Sequence, residues 1–250
     1  MVGTARGGLN PSTLATLLNR ARELTTRPFG VNFIIRPGSV AARSPREFIE
    51  QAAKVGRVVE FFYADPSAEF VRIVHDQGAL ASWQVGSPEE ALRAADVGCD
   101  IIVAQGIEAG GHVRGTIGLL DLLCEVLEAV PEMPVLASGG IGTGRAMAAA
   151  LAAGADGVRV GTRFVASEEA GVHPTYTDAL IAASAQDSIY TRTFHVLSPR
   201  LRKSEPSHGR ATRTIPSVTA GVARFRSQAL LRSATCRDPA RWCCLRPWPL

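Results

Sequence analysis

Hydrophobic and polar positions follow two alternating rhythms along residues 11–184. Short apolar runs near residues 31, 60, 82, 102, 135 and 158 have the length and composition of buried strands. Between them, apolar residues recur at helical spacing, as in Leu14, Leu17, Leu18, Ala21 and Leu24. The punctuation agrees with that division. Pro11-Ser12 opens a helix predicted over 11–26, and Arg27-Pro28 stops it. Ser87-Pro-Glu-Glu90 opens another, with acids in its first turn. A further helix is predicted over 116–130, ending at Pro131. Regular strand–helix alternation places the strands parallel in one sheet. The pattern therefore predicts an α/β fold with a parallel sheet. Six strands are visible, and a closed α/β barrel takes about eight, so a barrel here is incomplete.

One strand leads into unusual chemistry. The run Asp100-Ile-Ile-Val-Ala104 stops at Gly106, and Gly110 and Gly111 follow closely. That places Gln105, Glu108 and His112 at or just past a strand's C-terminal end, where barrel enzymes collect catalytic groups. Glycines there let the backbone approach a flat ligand. Glu108 also reads as a solvated loop acid or a partner for Arg114, so it stays outside the catalytic set. Two later strands each run into a glycine loop: Ser138-Gly-Gly-Ile-Gly142 and Val160-Gly-Thr162. Consecutive strand–glycine units of this kind suit a phosphate, because backbone N–H groups converge there. The glycine spacing is not that of a dinucleotide fingerprint.

Charge and cysteines narrow the class. The net charge of +4 is unevenly spread. Residues 199–250 hold eleven Lys and Arg against two Asp and Glu, a net +9, which leaves −5 on the preceding 198 residues. An acidic body argues against nucleic acid as a partner. No apolar run reaches the length of about 18 residues that marks a membrane span. An odd count of five cysteines, without metal-like spacing in the body, predicts a reduced, cytoplasmic protein lacking a metal site. Cys99 and Cys124 read as small buried residues, and His75, His173, His195 and His208 as surface or loop residues.

Residues 1–198 are predicted to form the partial barrel, and residues 199–250 a basic, irregular tail. The tail carries Cys236, Cys243, Cys244, Trp242 and Trp248 among Arg and Pro with little periodicity. Two readings stand for it: a disordered segment, or a stretch translated out of frame.

Four motifs taken together resemble a known family. Pro28-Phe-Gly-Val-Asn32, Gln105-Gly-Ile-Glu-Ala-Gly-Gly-His112, Ala137-Ser-Gly-Gly-Ile-Gly142 and Val160-Gly-Thr-Arg-Phe164 are similar to those of nitronate monooxygenases, the 2-nitropropane dioxygenases. The resemblance covers roughly residues 2–198. It implies an FMN-dependent TIM-type barrel that oxidises nitronates or nitroalkanes with oxygen. It also implies that the family's first strand, helix and second strand precede the point matched by Val2. His112 becomes the catalytic candidate, an imidazole able to take an acidic carbon's proton or to orient a nitronate. Asn32 and Gln105 are implied flavin contacts, with Gly110 and Gly111 in the turn beside them. Ser138, Gly139, Gly140, Arg159, Val160, Gly161 and Thr162 are the implied phosphate cradle. For Arg159, either its charge or its backbone alone serves. The flavin-dependent enoyl-acyl-carrier-protein reductases share much of this pattern and are the alternative, with a non-catalytic remnant as the third reading. An unclosed barrel exposes strand edges, which predicts low solubility, chaperone dependence or homo-oligomerisation.

Overall fold

The computed structural model describes residues 2–3, 10–35, 45–191 and 208–212. Seven parallel strands form one sheet in the order β1 (Val2–Gly3), β2 (Gly30–Ile34), β3 (Val58–Phe62), β4 (Leu80–Val85), β5 (Ile101–Gln105), β7 (Val135–Ser138) and β8 (Gly157–Arg159). Six of these are the predicted strands. β1, too short to read as an apolar run, adds a seventh by pairing Val2 with Val31 and Gly3 with Asn32. The helices are α1 (Pro11–Leu24), α2 (Pro45–Val55), α3 (Ala68–His75), α4 (Pro88–Asp96), α5 (Leu119–Ala129), α6 (Gly144–Ala152), the single turn α7 (Thr162–Val165) and α8 (Pro174–Ala182). This is the incomplete TIM-type barrel expected from the family resemblance.

Local chemistry explains the boundaries. Asn10 caps α1 by accepting from the Thr13 N–H at 2.8 Å, and the Ser87 hydroxyl accepts from the Glu90 N–H at the start of α4. Gly98 and Gly154, at φ +88° and +104°, end α4 and α6. Each glycine is followed two residues later by an aspartate. Asp100 donates its N–H to the Ala81 carbonyl at 2.9 Å and accepts the Ala81 N–H at 2.7 Å. Asp156 treats Val135 in the same way, at 2.9 and 2.8 Å. The Gly-x-Asp step is thus a repeated clamp that sets the register of each incoming strand.

Several expectations need correction. The helix predicted over 116–130 begins at Leu119, because the Glu108 carboxylate accepts the Leu119 N–H at 3.0 Å and anchors the helix start there. Leu17 and Leu24 are exposed, so only Leu14 and Leu18 of the α1 stripe enter the core. Cys124 is exposed and not buried, whereas Cys99 is buried, and burial pushes its thiol up to about 12. His75 is exposed, as expected of a surface residue, and its Nε2 lies 2.8 Å from Asp100 Oδ2. Residues 111–113, read as a turn, form the short strand β6 (Gly111–Val113). Within the tail, His208–Thr212 forms β10, which lies between β6 and β9 (Ser188–Thr191) in a small antiparallel sheet. His195 and the remainder of the tail lie outside the described residues.

Strand register separates the sheet into two faces. Val31, Phe33, Val59, Phe61, Ala81, Trp83, Ile102, Ala104, Val135 and Ala137 point toward the helices and make the core. Asn32, Glu60, Ser82, Gln84, Gln105, Ser138 and Arg159 occupy the alternate positions, on the concave side. All six buried polar side chains of the described residues lie on that concave side.

Candidate active site

The C-terminal end of β5 organises the site. Gln105 is buried, and its Nε2 donates to the His112 carbonyl at 2.9 Å. That bond folds the glycine turn back over the strand end and fixes the backbone that carries His112. Across the turn, the Tyr63 ring meets the imidazole edge-on, with centroids 5.7 Å apart. Tyr63 is the one non-glycine residue among those described with positive φ, at +77°. Backbone strain of this kind concentrates at functional sites. Arg114 keeps Tyr63 in place: its guanidinium donates to the Tyr63 carbonyl and to Glu90, and bonds Asp65 at 2.6 Å. Glu108 therefore serves neither as a solvated acid nor as a partner of Arg114; it anchors the start of α5.

Below the turn lies a network linking three strands. Asn32 donates Nδ2–H to Glu60 Oε1 at 2.7 Å. Arg159 reaches the same oxygen at 2.8 Å through Nη2. In the sheet, β4, β5 and β7 stand between β3 and β8, so the guanidinium bridges the concavity. Glu60 is 1% exposed. Its burial pushes the carboxyl above the ordinary range, against the opposing pull of Arg159 and Asn32. The Arg159 side chain thus goes to Glu60.

The loops after β7 and β8 carry the glycines. Gly139 and Gly140 have φ of +111° and +64°. A Cβ on Gly139 would stand 3.1 Å from both Ala109 N and Gly106 O, so this loop packs directly on the β5 turn. A Cβ on Gly161, just past the end of β8, would meet no described residue within 4 Å. The structure thus brings Gln105, Ser138, Gly139 and Gly140 to one rim, with His112 on the turn above. Asn32 and Arg159 lie deeper, joined through Glu60.

Glu60 and Tyr63 escaped the sequence reading, and Arg114 entered it only as a candidate partner of Glu108. The detectable signal for Glu60 was a single acid inside an otherwise apolar strand, Val58-Val-Glu-Phe-Phe62. Tyr63 and Arg114 had none, since their importance comes from contacts across the fold.

A cavity of about 170 Å³ lies at the other end of the strands, lined by Phe29, Gly30, Val58, Glu60, Ser82 and Ile101 among others. It accommodates water but is smaller than a ligand pocket of about 300 Å³ or more. The rim is better suited to a flat cofactor. Gln84 Oε1, Gln105 Oε1 and Arg159 Nε are buried and have no hydrogen-bond partner among the described residues. Orphaned polar atoms are rare in finished cores, and a cluster of them calls for a polar ligand. A Cβ on Gly111 or Gly161 would meet no described residue within 4 Å, so the rim is open enough to admit a flavin.

Fold and site together define an α/β-barrel protein with a ligand-hungry polar lumen and a strand-end histidine. The profile of the nitronate monooxygenase family matches residues 3–202, and the chain belongs to that family. The (3aS,4S,5R,7aS)-5-hydroxy-7a-methyl-1-oxo-octahydro-1H-indene-4-carboxyl-CoA dehydrogenase of Rhodococcus jostii is 30% identical over 94% of this chain and 68% of its own length. Among solved structures, FabK of Thermotoga maritima is 33% identical, with a TM-score of 0.72 over 85% of this chain and 63% of that one. The nitroalkane oxidase of Streptomyces ansochromogenes is 30% identical, with a TM-score of 0.64 over 80% of this chain and 66% of that one. The chain spans between 36% and 68% of the length of the curated relatives it matches first. No helix among the described residues is long and apolar enough to cross a membrane.

Proposed function

We propose that the chain binds FMN in its lumen and oxidises nitronates or nitroalkanes with oxygen, yielding a carbonyl compound and nitrite, as a cytoplasmic enzyme. The observation that carries this reading is the Gln105–His112 bond, which fixes at the strand end the backbone that bears the imidazole. When bound, the flavin supplies the electron-accepting and oxygen-activating chemistry. The protein supplies position and proton handling. His112 takes the acidic proton of a nitroalkane or hydrogen-bonds the nitronate oxygens. Gln105 places that histidine with its Nε2 and keeps Oε1 for the ring edge, which Asn32 approaches from the opposite strand. Gly110 and Gly111 leave room above the ring. Ser138, Gly139, Gly140, Val160, Gly161 and Thr162 form the phosphate cradle with their backbone N–H groups.

A second reading is reduction or oxidation of a thioester-borne substrate. It is favoured by the Rhodococcus relative, whose name specifies a CoA thioester. One experiment separates the two. The purified chain is loaded with FMN, and a nitronate is added without oxygen. Nitronate oxidation is expected to remove the flavin's visible absorbance and to release nitrite when air is admitted. His112→Ala is expected to slow this by about a hundredfold or more. Bound FMN that ignores nitronates but accepts electrons from NADH in the presence of an enoyl thioester establishes the second reading. Absence of flavin binding overturns both.

A further inference from the structure

We propose that Arg114 and Tyr63 are positioning residues for His112: the guanidinium fork holds Tyr63 in a left-handed conformation that stands its ring against the imidazole. This rests on the catalytic role given to His112 above.

A backbone crossing places the fork. Gly86 and Gly115 meet main chain to main chain, and a Cβ on Gly86 would stand 2.5 Å from Gly115 N. Only glycines allow that approach. It lays the chain after β6 on the loop after β4, and from there Arg114 reaches Glu90. The Glu90 carboxylate accepts the Gly86 N–H at 2.8 Å on one oxygen and Arg114 Nε on the other. The other two arms of the guanidinium go to the loop after β3. Nη1 donates to the Tyr63 carbonyl, and Nη2 bonds Asp65 at 2.6 Å. One side chain thus joins the segments that follow β3, β4 and β6. An ammonium lacks the fixed fork that does this.

Tyr63 has φ +77°, which glycine adopts freely and tyrosine only under strain. Core packing does not offset that strain, since the residue is half-buried. What tyrosine adds over glycine is its ring. The ring meets Phe62 at 4.9 Å and His112 at 5.7 Å between centroids, T-shaped in both cases. Gln105 fixes the His112 backbone through its carbonyl. Tyr63 fixes the plane of the imidazole, and a base with both fixed is aligned for proton transfer.

The test uses Tyr63→Gly, Tyr63→Phe, Arg114→Lys and the Tyr63→Gly/Arg114→Lys double variant. Glycine removes the ring and relieves the backbone, so Tyr63→Gly is expected to melt within about 4 °C of wild type. In the flavin-free chain, carbon–proton NMR of the histidine rings reads the ring current of Tyr63 on His112. The His112 signals are those missing from His112→Ala. They are expected to move in Tyr63→Gly and in Arg114→Lys and to hold their place in Tyr63→Phe. In the FMN-loaded chain, kcat for a nitroalkane is expected to fall about tenfold in Tyr63→Gly and Arg114→Lys, with KM within about twofold. Tyr63→Phe is expected to restore it. The double variant is expected to be no slower than Tyr63→Gly, because Arg114 acts through that ring. Unmoved signals in Tyr63→Gly overturn the ring contact. Unmoved signals in Arg114→Lys, or a double variant slower than Tyr63→Gly, overturn the role of Arg114. Moved signals with unchanged kcat make the contact structural and overturn the positioning role. A wild-type chain that shows the ring current but binds no FMN overturns the FMN reading, and the positioning role with it, while the contact stands.

Discussion

On its helix-covered face the sheet carries Val31, Phe33, Val59, Phe61, Trp83 and Ile102; on the concave face, one residue further along each strand, it carries Asn32, Glu60, Ser82, Gln84 and Gln105. The first set is satisfied by packing alone. Phe61 lies between Phe33, Phe70 and Trp83, with ring centroids 6.3, 5.5 and 4.9 Å away. The second set is only partly satisfied: Asn32 and Glu60 have each other, while Ser82 Oγ, Gln84 Oε1 and Gln105 Oε1 have no partner among the described residues. A strand period of two lets the same backbone do both jobs. The difference teaches that one face maintains the fold and the other is kept ready for a ligand, at some loss of stability in its absence.

Three substitutions sharpen or break that contrast. The largest effect belongs to the packed face. Trp83 is 1% exposed and also donates Nε1–H to the Ala64 carbonyl at 3.2 Å. Trp83→Ala is expected to destabilise the protein by about 3–5 kcal/mol, read from chemical denaturation. A loss below about 1 kcal/mol would mean that this face is not the core.

An intermediate effect belongs to Glu60, and it depends on pH. A carboxyl whose folded pKa is raised contributes stability below its unfolded pKa and loses it as pH rises through the folded value. Burial raises Glu60 in this way. Wild-type stability relative to Glu60→Gln is therefore expected to fall as pH climbs from about 4 toward neutrality. Melting curves of the two proteins across that range check it, and a constant gap would show that the carboxyl is not raised.

The smallest effect belongs to Gln84, which is 3% exposed with its Oε1 unpartnered among the described residues. Gln84→Met removes an orphaned acceptor at similar volume. Apo stability is expected to stay within about 1 kcal/mol of wild type, or to rise, while FMN affinity falls. A strongly destabilised variant in a melting experiment would mean that the amide is structural and the two faces follow one rule.

Much of the barrel was legible from sequence because its signals are local. Apolar runs, Ser87-Pro88 and Arg27-Pro28 each specify a strand, a helix start or a stop without reference to distant residues. The placement of Gln105 and His112 at and just past a strand end was legible for a related reason, since a strand followed by glycines is a local pattern. Errors arose where a local pattern met a distant contact. The start of α5 moved to Leu119 because Glu108 reaches it, and Leu17 is exposed and not part of the core.

The sequence by itself determined the alternation of elements, their parallel arrangement and the family, because hydrophobic periodicity and turn chemistry act over a few residues. Only the tertiary structure decided which polar residues share the lumen. Asn32, Glu60 and Arg159 come from β2, β3 and β8, up to 127 positions apart. No local pattern joins them; the curl of the sheet does, by aiming the side chains of separate strands into one enclosed space of low dielectric. There an unpaired charge is costly, and these three groups must answer one another.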